Sequence, residues 1–170
     1  MSSADLSPDT SRVIAQIGRA PRRPWRVEVR CSYGAPAVIA TAPVLEDGSP
    51  FPTLYWLTCP FLLDIAARAE SDGYIAVWAD RLAADPALAD RMRAADSEYR
   101  SRRAAEPGGD PFAGVGIAGQ RDPLATKCLH AHIAAALAGI DDPIGAALTE
   151  TSGRECVDFR CRLLGSADPE

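Results

Sequence analysis

Trp25-Arg26-Val27-Glu28-Val29-Arg30-Cys31 alternates apolar and charged residues until it ends in a thiol, and this alternation decides the fold class. Successive side chains of a strand point to opposite faces, so Trp25, Val27, Val29 and Cys31 share one face and Cys31 points toward a core. Downstream, Tyr33-Gly34-Ala35-Pro36 turns the chain into Ala37-Val38-Ile39-Ala40-Thr41. Glu46-Asp47-Gly48-Ser49-Pro50 is a strong turn signal ahead of Thr53-Leu54-Tyr55-Trp56-Leu57-Thr58. Three short strands with short connections predict an antiparallel meander, because parallel strands need longer crossovers.

After Thr58 the apolar period lengthens from two to that of a helix. Pro60 suits a first helical turn, and Leu62, Leu63, Ile65, Ala66 and Ala69 follow at helical spacing until Asp72-Gly73. A second helix covers roughly 74 to 83. Asp85-Pro86 opens a third, strongly charged one that runs to about Arg103. Pro107-Gly108-Gly109-Asp110-Pro111 breaks the pattern, and the next helix is predicted from Asp122-Pro123 to Ala138, closed by Gly139. A shorter helix over 143 to 149 and a late edge strand over 156 to 161 complete the reading. The fold class is α+β: a small antiparallel sheet of about three strands packed by several helices in a single domain.

Upstream of Trp25, residues 5 to 18 predict a short helix entered near Ser7-Pro8. Arg19-Ala20-Pro21-Arg22-Arg23-Pro24 is a basic, proline-punctuated connector that cannot continue it. The chain therefore divides into 1–24 (helix and connector), 25–164 (the α+β domain) and 165–170 (a disordered tail).

With 170 residues and 47% hydrophobic content, the chain can bury one substantial core. A net charge of −5 argues against nucleic acid and anionic membrane as partners. Seventeen arginines stand against one lysine, a bias to be assigned to genome composition before phosphate binding. No apolar run reaches the roughly 20 residues needed to cross a bilayer, and the N-terminus lacks a signal-peptide pattern, so membrane insertion is not expected and a cytoplasmic location is. Five cysteines in a reducing compartment point to buried thiols, metal ligands or a reactive thiol rather than disulfides.

Both histidines and the single lysine fall within Lys127-Cys128-Leu129-His130-Ala131-His132. Thiol, imidazole and ammonium groups bind metals, attack electrophiles and move protons near neutral pH. On a helix opening at Asp122-Pro123, Cys128 and His132 share a face, whereas His130 is displaced by about 200° from Cys128 at 3.6 residues per turn; a later helix start would undo that pairing. Cys59 is placed at a helix N-terminus, where unpaired N–H groups and the dipole can lower a thiol's pKa.

Two chemistries follow. Cys31, Cys59, Cys128 and His132 could form a tetrahedral metal site, zinc before an iron–sulfur cluster, although no CxxC knuckle supports it. Alternatively Cys128 is a nucleophile with His132 or His130 as its base, acting on a small anionic or phosphorylated substrate. An anion site would then draw on Lys127, the glycine loop at Gly114 and Gly116, and Arg100 at the basic end of the charged helix. The run Gly114-Val115-Gly116-Ile117-Ala118-Gly119 matches GxGxxG but follows no strand, which argues against dinucleotide binding. A third reading has no chemistry: the cysteines are packing residues of an interaction module. Cys156 and Cys161 fall on opposite faces of any strand and read as structural.

Together, Cys31-Ser32-Tyr33-Gly34-Ala35-Pro36, the block Phe51 to Pro60, Gly114-Val115-Gly116 and the block Lys127 to His132 resemble DUF501, a bacterial family of unknown function. The resemblance covers roughly residues 25 to 138 and departs at Ser32, where a proline is expected. It implies that Cys31, Cys59, Cys128, His130 and His132 lie in family blocks and that Cys156 and Cys161 lie outside them; it brings no activity, substrate or cofactor.

Overall fold

Ser7 opens the first element of the computed structural model, which describes residues 7–164. Its hydroxyl accepts the Thr10 N–H at 3.2 Å, Pro8 takes the first helical position, and α1 (Pro8–Ile17) ends at Gly18 in the left-handed region. A tertiary bond that local sequence does not announce seats this helix on the sheet: buried Gln16 donates from Nε2 to the Pro36 carbonyl at 2.8 Å. The tail over 165–170 lies outside the described residues.

Strands β1 (Trp25–Arg30), β2 (Pro36–Thr41) and β3 (Tyr55–Leu57) form an antiparallel sheet in the order β1-β2-β3. All six residues of central β2 are buried, as its unbroken apolar run requires. The alternation of β1 is less regular than it reads. Register shifts on both sides of Val29 reset the side-chain faces, and the strand stops at Arg30. Cys31 therefore starts a turn, its carbonyl accepting the Gly34 N–H at 2.9 Å, and it is half-buried rather than a core residue.

Helices α2 (Pro60–Ser71), α3 (Tyr74–Ala84) and α4 (Pro86–Ala104) follow the predicted spans closely, with Asp85 capping α4 through the N–H groups of Ala87 and Leu88. Helix α5 (Leu129–Leu137) is apolar around most of its circumference, so it is buried at the centre, against β3, α2 and α6 (Pro143–Ser152). Val38, Leu54, Leu57, Leu62, Met92, Ile133 and Ile144 belong to one core cluster shared by sheet and helices. The result is a single α+β domain.

Between α4 and α5 the chain is irregular but anchored. The guanidinium of fully buried Arg103 binds Asp110 twice, at 3.0 and 2.9 Å, and donates to the carbonyls of Pro52, Phe112 and Val115. This one side chain ties the end of α4 to the loop over 105–120 and to the approach to β3.

Two predicted elements differ in the structure. Asp122 makes an isolated turn, accepting the Leu124 N–H at 2.9 Å, and the helix begins only at Leu129. The late edge strand does not form: Phe159 takes a left-handed conformation (φ 43°) that interrupts any strand, and Arg160–Leu163 is a 3-10 turn. That segment instead packs on the turn after β1, with Phe159 stacked on Tyr33 at 4.6 Å. Among the described residues, no helix is long and apolar enough to cross a membrane.

Candidate functional site

The late start of α5 rearranges the Lys127–His132 cluster. Cys128 is the residue before the helix, with extended backbone (φ −139°, ψ 108°), so the four-residue helical spacing that would align it with His132 does not apply. Its side chain does not cap the helix. The cap comes from another element: Glu70, in the last turn of α2, accepts the Leu129 N–H at 2.7 Å through Oε1. A carboxylate at this end of a helix meets unpaired N–H groups and the positive end of the dipole.

The same Glu70 oxygen lies 3.0 Å from His130 Nδ1, and Cys128 Sγ lies 3.9 Å from that nitrogen. Among the described residues, Glu70, Cys128 and His130 form the one group of three or more Cys, His or acidic side chains whose ligand atoms all fall within 4.8 Å of one another. All three are partly buried. The His130 pKa is raised, first by the Cys128 sulfur and then by Glu70, with burial acting in the opposite direction. Cys128 and His130 also line an apolar cavity of about 480 Å³ between α1, β3, α2 and α5.

His132 lies elsewhere. It is buried, and its Nδ1 donates to Asp142 Oδ2 at 2.7 Å, while Asp142 Oδ1 accepts the N–H groups of Ile144 and Gly145, both at 2.9 Å. Asp142 is thus the N-cap of α6 and the acceptor for a histidine of α5, so His132 clamps two helices together. Gly145 lets the helices come this close, because a Cβ there would collide with the His132 carbonyl.

The four-ligand set Cys31, Cys59, Cys128 and His132 is therefore not assembled. Cys31 and Cys59 sit instead near Cys161, where the C-terminal segment closes on the start of α2. Gln16 bridges the Pro36 carbonyl and Cys161 Sγ, the latter at 3.3 Å, and Thr58 donates to that same carbonyl at 3.1 Å. The Ser32 N–H, next to Cys31, donates to Glu155, next to Cys156. All five thiols are free. Burial pushes the Cys59 thiol up; the N–H groups of Leu62 and Phe61 oppose the rise without reversing it, so the helix start does not activate this cysteine.

The residues expected to hold an anion are engaged with the protein's own groups. Arg100 pairs with Asp96 at 3.0 Å, and Asp96 Oδ1 accepts the Ile117 N–H at 2.9 Å. Asp96 packs so tightly under Gly116 that a Cβ there would collide with its carboxylate. The glycine loop is filled by the protein's own anion. Gly114 serves a left-handed turn (φ 77°), and Lys127 is exposed. Sequence alone does not single out Glu70, since nothing local distinguishes it from a solvated helix-end carboxylate. The available signal was indirect: a helix starting at Leu129 has no capping side chain of its own.

No match to this chain is found among curated proteins or among solved structures. The family model described as a protein of unknown function, DUF501, matches residues 27–150. That span runs from within β1 through most of α6 and includes Glu70, Cys128 and His130, while Cys156 and Cys161 fall beyond it. With the greater part of its length matched, the chain belongs to the DUF501 family of proteins of unknown function.

Proposed function

We propose that Glu70, Cys128 and His130 bind a transition-metal ion, zinc before others, in a site with an open coordination position. The observation that carries this reading is that Sγ and Oε1 both face the same ring nitrogen, Nδ1 of His130. A thiol-dependent triad needs its sulfur and its carboxylate on opposite nitrogens of the imidazole, one receiving the proton and the other held in orientation. Three donors turned toward one point are what a metal requires. Zinc bonds of about 2.0–2.3 Å in tetrahedral geometry place ligand atoms roughly 3.4–3.6 Å apart. The Sγ–Nδ1 and Oε1–Nδ1 separations of 3.9 and 3.0 Å bracket that spacing, so small side-chain adjustments close the site.

The donor types suit zinc, and a single thiolate is too few for an iron–sulfur cluster. Three protein ligands leave a fourth position for water or substrate, the arrangement of catalytic rather than structural zinc. The test is calorimetric titration of chelator-stripped full-length protein with zinc. One ion per chain is expected at this site, with binding weakened at least about tenfold in Cys128→Ala, His130→Ala and Glu70→Gln, and retained in the double variant Cys31→Ser/Cys59→Ser. Unchanged binding in the first three variants would overturn the assignment. If zinc fails to bind while Cys128 alkylates faster than the other thiols, the thiol-enzyme reading takes its place.

A further inference from the structure

The cavity beside this centre has a chemistry of its own. Ile17, Tyr55, Trp56, Leu57, Leu63 and Ala131 make its walls predominantly apolar. Its volume of about 480 Å³ falls in the range of small-molecule pockets and far exceeds a packing void. Water in such a recess finds few partners, so an apolar occupant is favoured.

The polar groups on the lining are few, and several are already engaged: His130 with Glu70, Gln16 Nε2 with the Pro36 carbonyl and Tyr55 with Arg102. Arg19 contributes to the lining, lies over the Trp56 ring at 5.1 Å, and has no carboxylate partner among the described residues. Gln16 Oε1 and Trp56 Nε1 are buried without hydrogen-bond partners. An unpaired guanidinium favours a carboxylate or similar anion, which it can hold through two parallel bonds.

We propose that this cavity binds an amphiphilic small molecule, with its apolar body against Tyr55, Trp56 and Leu63 and its anionic head on Arg19. The assignment goes beyond the metal reading and does not require it: zinc at the neighbouring centre would offset the charges of Glu70 and the Cys128 thiolate and so strengthen anion binding in the cavity. The ligand class is set by the walls and by Arg19, independently of any reaction at the metal.

The test uses the full chain loaded with zinc, titrated calorimetrically with decanoate, decanol and decylamine. Decanoate is expected to bind at least tenfold tighter than decanol, and decylamine weakest. In Arg19→Gln, an exposed substitution that leaves the core intact, decanoate should fall to the affinity of decanol. Ala131→Phe, which fills the cavity, should abolish binding of all three, with its circular dichroism checked against wild type. No preference for decanoate, or an unchanged preference in Arg19→Gln, would overturn the proposal. A preference that survives Arg19→Gln but vanishes on chelation would place the head on the metal and overturn the Arg19 assignment. Decanoate binding that depends on Arg19 in protein that takes up no zinc would support the cavity proposal while refuting the metal reading.

Discussion

Replacing each of the two histidines by alanine separates the site from the scaffold. His132→Ala removes a buried hydrogen bond to a charged carboxylate, an interaction of about 1.5–3 kcal/mol. It also leaves Asp142, which is fully buried, with one oxygen bare, and it opens a void where the ring packed between α5 and α6. Loss of one partner of a buried polar pair, together with the void, costs about 3–5 kcal/mol in total. For a protein of this length each kcal/mol lowers the midpoint by about 2–4 °C, so the Tm of His132→Ala should fall by roughly 6–20 °C. His130 differs in every term. Its side chain is 29% exposed and its carboxylate partner 27%, so the pair contributes at most about 1 kcal/mol. His130→Ala should move the Tm by no more than about 4 °C while weakening zinc binding. Thermal unfolding followed by circular dichroism, alongside zinc titration, reads both quantities. If His132→Ala keeps its Tm and loses zinc, or His130→Ala unfolds early and keeps zinc, the division of roles drawn here is refuted.

Asp110→Asn leaves the Arg103 guanidinium buried without its counterion and should cost about 3–5 kcal/mol, measured by urea unfolding. Burial pushes the Asp110 carboxyl up, but its bonds to Arg103 win and hold it below the usual range. Its contribution is therefore complete above the ordinary carboxylate value near 4 and disappears as pH falls through the lowered one. The stability gap between wild type and Asp110→Asn should accordingly close in acid, and a gap that widens there would contradict the pairing. Gly145→Ala drives a methyl into the His132 carbonyl at the α5–α6 crossing and should destabilise by more than about 1–3 kcal/mol, seen as a lower Tm. Iodoacetamide followed by mass spectrometry should label Cys128 ahead of Cys59 and Cys161, whose pKa values burial raises, and zinc should protect Cys128 alone; early labelling of Cys59 would count against its buried position.

Local patterns made most of the scaffold legible. Alternation marks β1, the apolar run marks β2, and Ser7-Pro8 and Asp85-Pro86 mark helix starts, because caps and periodicity are properties of adjacent residues. The misplaced start of α5 shows the limit. Asp122-Pro123 carries the same signal as the true starts, yet it yields one turn, and the helix waits for Leu129, where Glu70 supplies the cap.

The sequence by itself determined the α+β class, the three-stranded meander, the family blocks and the importance of the segment from Lys127 to His132, all of which rest on short-range pattern. Which side chains meet was decided only by tertiary structure. A six-residue start error on α5 exchanges His132 for His130, and the third member of the group, Glu70, comes from a helix end nearly sixty residues upstream. The same closure draws Asp96 into the glycine loop and Cys31 and Cys59 toward the C-terminal segment. Contacts between distant segments depend on how helices and sheet bury their common core, and no spacing along the chain encodes that directly.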